Sequence, residues 1–297
     1  VKPAPFDYIA ARSPDDVVAA LADGTTHVLA GGQSLVLEMN FRSARPRRLV
    51  DINGVAGFGD IALDPAVLRV GPLVRHRAFE SDAVPGPLGV LLRRVTHHIA
   101  HPPIRARGTM AGSLAYAHPA AEWPAVATAL DAEIELRGPG GSRVVRAGEF
   151  FTGPFRTARR PDELLAEVRL PLLPAGTAVG FVEHRRTRAS FAQLAALAAI
   201  TVADGRVVTA SVGLVNAADR PVRATAAEAA LIGRPLDDDA IADAARAAAR
   251  DDADPRPLPY ADIAYQRHAV AVLTRRALTQ AREGARRHAN NVADQRD

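Results

Sequence analysis

The chain has 297 residues, 48% hydrophobic, 24% charged and 5% aromatic, ordinary globular values that exclude a collagen-like or wholly disordered protein. Its formal charge is +4, from one lysine and 36 arginines scattered among 33 acids; this reflects a GC-rich genome and argues against nucleic-acid binding, which needs a basic patch or stripe. Cysteine is absent, which excludes a disulfide framework, a thiol nucleophile, a zinc ribbon and any iron–sulfur cluster held by the chain's own thiolates.

Val1 to Asp7 has no apolar core of a secretory signal. The longest mostly apolar stretch, Phe191 to Ala203, is shorter than the ~20 residues that span a bilayer. A cytoplasmic protein without a transmembrane segment is expected. The length predicts two domains with possible subdivision.

Ser13-Pro14-Asp15-Asp16 predicts a helix start: a serine cap, proline in the first turn and acids at the positive end of the dipole. Val17, Val18 and Leu21 form its apolar face, and Asp23-Gly24 ends it. Thr26–Ala30 and Arg48–Ile52 read as strands, giving a β-α-β opening. From about residue 57 the pattern changes. Val67–Val70 reads as a strand. Leu88, Leu91, Leu92, Val95 and Ile99 have the spacing of one buried helix face. A further helix begins near Ala121-Glu122-Trp123-Pro124. Ile134–Arg137 and Arg143–Arg146 flank Gly138-Pro139-Gly140-Gly141, a hairpin signal. Leu164–Pro171 ends in a strand stopped by proline.

Leu172–Gly176 reads as a linker. Beyond it, Phe191–Ala203 and the alternating Arg206–Val215 are joined by Asp204-Gly205, a strong hairpin signal. Thr225–Ile232, Asp239–Arg250 and roughly Ile263–His288 read as helices, with an acidic, proline-rich loop over Asp251–Pro259. The arginines at 275, 276, 282, 286 and 287 read as the solvated face of the last helix.

Two small-residue segments, read as loops, could hold an anion. They are Ala30-Gly31-Gly32-Gln33-Ser34-Leu35 after a strand, and Gly108-Thr109-Met110-Ala111-Gly112-Ser113-Leu114. Glycine lets a ligand approach the main chain, and successive N–H groups form a nest for a pyrophosphate. Hydroxyls of Ser34, Thr109 and Ser113 could add donors. Neither segment matches the Rossmann or P-loop pattern. His97 and His101 have helical i,i+4 spacing, but Pro102 interrupts the helix and no H-E-x-x-H pattern occurs, so no metal site is expected. G-x-S-x-G is absent, which argues against hydrolase chemistry. Trp123 reads as a core anchor and Arg185-Arg186-Thr187-Arg188 as a solvated turn.

Taken together with Lys2–Tyr8, Leu49–Asn53, Ile99–Arg105, Pro119–Pro124, Pro161–Leu165 and Ala210–Leu214, these segments resemble the FAD-binding medium subunit of the molybdenum hydroxylases. That family includes the carbon monoxide dehydrogenase flavoprotein and the xanthine dehydrogenase FAD domain. The resemblance covers nearly the whole chain in order. It implies an α+β protein: two α/β subdomains of the vanillyl-alcohol-oxidase-like (PCMH-type) FAD-binding fold at 1–56 and 57–174. A C-terminal α+β domain with a three-stranded sheet and helices would follow at 175–290, then a tail at 291–297.

It also implies the site. Ala30, Gly31, Gly32, Gln33, Ser34 and Leu35, with Thr109, Met110, Ala111, Gly112 and Ser113, would hold non-covalent FAD. Glu122 would hydrogen-bond it, Leu165 would pack near the flavin, and Glu183 would approach it. No catalytic acid or base is implied. Electrons would arrive from a [2Fe–2S] small subunit, itself fed by a molybdopterin large subunit, and leave to NAD, a quinone or oxygen. The chain departs from the family's usual Thr-Ile-Gly-Gly-Asn/Ser at Met110 and Ala111. If position 111 needed a left-handed backbone, alanine would cost about 1–2 kcal/mol and loosen the cofactor. Two alternatives follow: a stand-alone FAD-dependent oxidoreductase, and an interaction protein that has lost FAD.

Overall fold

The computed structural model describes residues 1–258 and 261–294, with main chain alone from 287 onward. Pro259 of the expected loop, the Arg287 side chain and residues 295–297 of the expected tail lie outside the described residues; residues 291–294 continue the last helix. The chain forms two compact units. One comprises Val1–Ala78, His101–His118 and Asp131–Pro171, the other Phe79–Ala100, Pro119–Leu130 and the chain from Leu172 on.

The chain begins β1 (Asp7–Ala10), α1 (Pro14–Leu21), β2 (Thr26–Leu29), α2 (Leu35–Phe41), β3 (Arg48–Asp51), β4 (Ile61–Leu63) and β5 (Val67–Val70). Five helices and strands of the middle follow: α3 (Gly86–Thr96), α4 (Pro102–Arg105), α5 (Met110–Tyr116), α6 (Glu122–Ala129) and β6 (Glu133–Gly138). Next come β7 (Gly141–Arg146), α7 (Ala147–Phe150), β8 (Phe151–Gly153), β9 (Arg156–Thr157) and β10 (Leu164–Pro171). The chain ends with β11 (Ala178–His184), β12 (Leu194–Ala203), β13 (Arg206–Val215), β14 (Val222–Arg223), α8 (Thr225–Leu231), α9 (Asp238–Ala247) and α10 (Ile263–Asp294).

In the first unit, β3 lies between β1 and β2 in a parallel sheet. The serine cap expected for α1 is present, and Asp16 completes it as a capping box: Asp16 N–H donates to Ser13 Oγ (3.2 Å), and Ser13 N–H donates to the Asp16 carboxylate (2.9 Å). Capping satisfies first-turn N–H groups that lack an intrahelical partner. Val17 and Leu21 then pack with Val50, Ile52 and Leu164 in one core. The second sheet, ordered β4-β5-β10-β6-β7, is antiparallel around the central β10. Its β6–β7 hairpin closes at the expected glycines, with Gly138 opposite Gly141. Strand β1 and helix α2 escape the sequence reading: each is short, and neither Tyr8 nor Phe41 is buried.

The second unit is built on β11-β12-β13-β14, all antiparallel. Three long strands are those expected; the two-residue β14 is an addition at the edge. Asp204 and Gly205 both have positive φ (50° and 74°), the requirement of the I′ turn that matches strand twist. Every residue of β12 from Leu194 to Ile200 is buried, so helices cover both faces. Leu194, Ala196, Ala198 and Ile200 join Val270, Leu273, Ala277 and Leu278 of α10 in one core. The face carrying Gly213 meets Ala129 of α6. Trp123, 1% exposed, packs edge-on against Phe79 with ring centroids 5.3 Å apart, the expected core anchor. Along the arginine run, Arg275 and Arg276 are exposed, but Arg282 turns to Asp238 at 2.6 Å and is largely covered, because α9 lies alongside.

Helix α10 sits on β11 backbone to backbone. A Cβ on Gly180 would lie 2.0 Å from the Ala277 carbonyl oxygen, and neither main chain can yield locally. Gly180→Ala should therefore destabilise the protein by about 1–3 kcal/mol, the usual cost of overpacking. Gly148→Ala, where an added Cβ meets nothing within 4 Å, should be nearly neutral. Urea midpoints of the two variants measure the difference.

Candidate functional site

The two small-residue segments lie together in the first unit. The first is a loop from the end of β2 into α2. The second is not a loop: Thr109 caps α5, its Oγ1 accepting from Gly112 N–H at 2.9 Å, and Met110–Ser113 are helical. Ala111 has no positive φ; it is buried in the first turn of α5. The strain expected of alanine at this position is therefore absent, because a helical backbone accepts alanine freely.

Contact between the segments is main chain on main chain. A Cβ on Gly31 would fall 2.3 Å from the Arg107 carbonyl oxygen and 2.8 Å from Gly108 Cα. Only glycine fits. Arg75 fastens the contact, donating to the Arg107 carbonyl and to Asn53 Oδ1, each at 2.5 Å. Asn53 in turn donates to the Ala30 carbonyl at 2.9 Å. Tyr116 Oη donates to Glu38 Oε1 at 3.0 Å and so joins the two helices that follow the segments. Burial raises the Tyr116 pKa to about 12, with Glu38 adding to the rise. Asn53 belongs to a quoted stretch, but its bridging role carries no local signal, and nothing in sequence marks Arg75.

The main-chain N–H groups of Gly31, Gly32, Gln33, Ser34 and Leu35, and that of Ala111, have no hydrogen-bond acceptor among the described residues. Gly31 is itself buried. Native proteins rarely leave such donors unpaired, and consecutive unpaired amides make an anion-binding concavity. Ser34 makes no capping bond, so its hydroxyl is also available.

The other expected site residues are placed differently. Leu165 is buried on β10, opposite Leu136 and beside an irregularity in register. Glu122 and Glu183 are in the second unit. Glu122 opens α6 and is 6% exposed, and its carboxyl lies close enough to that of Glu183 for the two to interact. Burial pushes both carboxyls up; Glu122 adds to the rise at Glu183, Arg185 opposes it at both, and Glu183 opposes it at Glu122. Arg185, expected in a solvated turn, is turned inward: its Nη1 donates to the His98 carbonyl at 2.7 Å and lies 3.5 Å from Glu183 Oε1. The attraction of a buried carboxyl outweighs hydration of the guanidinium there. His97 ends α3 and His101 precedes α4, so the pair does not share a helix face.

His76 is 6% exposed and its main chain donates to the Gly108 carbonyl at 2.9 Å. Burial, with Arg105 and Arg75 nearby, lowers its pKa from 6.5 to about 4. The unfolded chain then binds a proton that the folded one refuses. Stability is present above the ordinary histidine pKa and is lost as pH falls through that window toward 4, a contribution on the order of 3 kcal/mol. His76→Gln should make unfolding free energy fall less steeply over that range than in the parent, read from denaturant unfolding at each pH.

Comparison with known proteins adds the following. The family described as FAD binding domain in molybdopterin dehydrogenase matches residues 4–173, and that described as CO dehydrogenase flavoprotein C-terminal domain matches 180–281. Subunit alpha of the 6-hydroxypseudooxynicotine dehydrogenase complex of Paenarthrobacter nicotinovorans is 35% identical over 96% of this chain and 97% of its own. The carbon monoxide dehydrogenase medium chain of Afipia carboxidovorans is 33% identical over 96% of this chain and 99% of its own. A solved chain of reconstituted CO dehydrogenase from Oligotropha carboxidovorans superposes with a TM-score of 0.91 at 32% identity, covering 96% of this chain and all (100%) of that one.

Proposed function

The chain belongs to the family of FAD-binding domains of molybdopterin dehydrogenases, and from that membership we propose that it is the flavoprotein subunit of a molybdenum-containing hydroxylase complex. It takes electrons from a [2Fe–2S] subunit, fed by a molybdopterin subunit, and passes them to an external acceptor such as NAD, a quinone or oxygen. The chain has no cysteine, so the cluster's thiolates belong to another protein.

The observation that supports this reading best is the run of unpartnered amides from Gly31 to Leu35. A dinucleotide's pyrophosphate is a doubly charged acceptor, and the donors present suit it. Gly31 lets the two segments close up with no side chain between them, and Arg75 keeps them closed. Thr109 holds the first turn of α5, leaving the Ala111 N–H available. FAD, when bound, supplies the redox chemistry, while the protein binds and orients it. Leu165 is enclosed on β10 of the same unit, and we assign it to the support of the site. We assign subdomains to 1–56 and 57–174 and a domain to 175–290, because one of the three larger sheets falls within each range. The reading in which FAD was lost rested on strain at Ala111, which has no positive φ.

Purified protein should carry FAD at close to one per chain, seen in the visible spectrum and identified after release. A colourless protein that also ignores added FAD would overturn the proposal. Gly31→Val should weaken FAD retention by about tenfold or more, about 1.4 kcal/mol per factor of ten, as measured by flavin fluorescence titration.

A further inference from the structure

The second unit encloses a pair of acids. Glu122 lies at the start of α6 and Glu183 on β11; the Glu183 side chain has no solvent exposure. Neither oxygen of Glu183 receives a hydrogen bond from an N–H or hydroxyl group. Ionised carboxylates are acceptors only. Two of them side by side would leave buried lone pairs without donors and place two negative charges against the single guanidinium of Arg185. One proton resolves both problems. It turns one carboxyl into a donor toward the other, and leaves one negative charge balanced by Arg185.

A route for that proton is visible. His98 Nδ1 lies 3.9 Å from Glu183 Oε2 and has no partner of its own. The His98 side chain is 31% exposed, and it lines a cleft of about 380 Å³ with Arg94, His97, Phe181, Gln280 and Glu283. The charged and titratable groups around the pair are thus Arg185 after β11 and His98 and His97 after α3, with Arg94 and Glu283 at the cleft. Burial, Arg185 and His97 lower the His98 pKa to about 4, so the ring passes a proton on rather than keeping it.

We propose that Glu122 and Glu183 share one proton and exchange it with solvent through His98. The ring accepts a proton from cleft water at its free nitrogen. It gives up the Nδ1 proton to Glu183, forming an O–H bond and breaking an N–H bond, and returns neutral as the other tautomer. A small ring movement or one water closes the gap. No oxidant or reductant takes part. On the flavoprotein reading, the pair gives the subunit a place to hold a proton while electrons pass.

Infrared spectroscopy of the full chain tests this. A protonated carboxyl band should persist at neutral pH and shift in heavy water. Glu183→Gln and Glu122→Gln should each remove it, since the amide supplies the missing donor and lets the remaining acid ionise. His98→Phe should keep the band but slow its exchange in heavy water by about tenfold or more. A parent protein without the band, a band that survives both glutamine variants, or exchange unchanged in His98→Phe would overturn the proposal. Flavin content measured on the same samples separates the two readings, because the band does not require the cofactor.

Discussion

The first unit depends on a contact with no side chain in it. Gly31 meets the backbone at Arg107 and Gly108 so closely that a methyl group has no place. Such an approach leaves main-chain donors near one another without the strand or helix partners that would ordinarily consume them. Everything around it serves to hold that geometry. Arg75 and Asn53 fix the carbonyls on both sides, and Tyr116 joins Glu38 across the two helices. The unit thereby keeps a group of polar atoms unsatisfied, stable only because a rigid scaffold surrounds them, and that is how a protein prepares for an anion.

The second unit solves the opposite problem. Its donors and acceptors are mostly satisfied by a sheet covered on both faces, and α10 fits closely because Gly180 removes the side chain from the contact. Within this apolar body sit Glu122, Glu183 and Arg185. An ion pair with an extra acid is costly to bury, and the cost falls when the extra charge is neutralised by a proton. Three histidines respond oppositely: burial keeps His76, His98 and His118 neutral well below the ordinary histidine range. Stability is therefore drawn toward neutral pH from the acid side by histidines, and toward lower pH from the alkaline side by the acid pair.

What could be read in the sequence was local. Ser13-Pro14 and Asp16 cap α1, Asp204-Gly205 turns the β12–β13 hairpin, and the alternation through Val208, Ala210 and Val212 makes a strand, because each signal acts within a few residues. The quoted segments were also enough to indicate the family, since they occur in order along nearly the whole chain. Short elements were not legible: β1 and α2 expose much of their apolar surface, so their patterns are weak. The second segment was misread as a loop because Gly and Ala at 111–112 look alike in a turn and in a first helical turn, and only the Thr109 cap distinguishes them.

By itself, then, the sequence determined the secondary-structure periodicity, the lack of thiolate ligands and the two segments able to approach a phosphate. Tertiary structure alone decided that those segments touch, that Arg75 clamps them, that Arg185 turns inward, and that Glu122 meets Glu183 next to His98. The reason is distance along the chain. Hydrogen bonding within a turn depends on neighbours, whereas Glu122 and Glu183 come together only once α6 and β11 have packed into the same core, and burial then changes what both acids do.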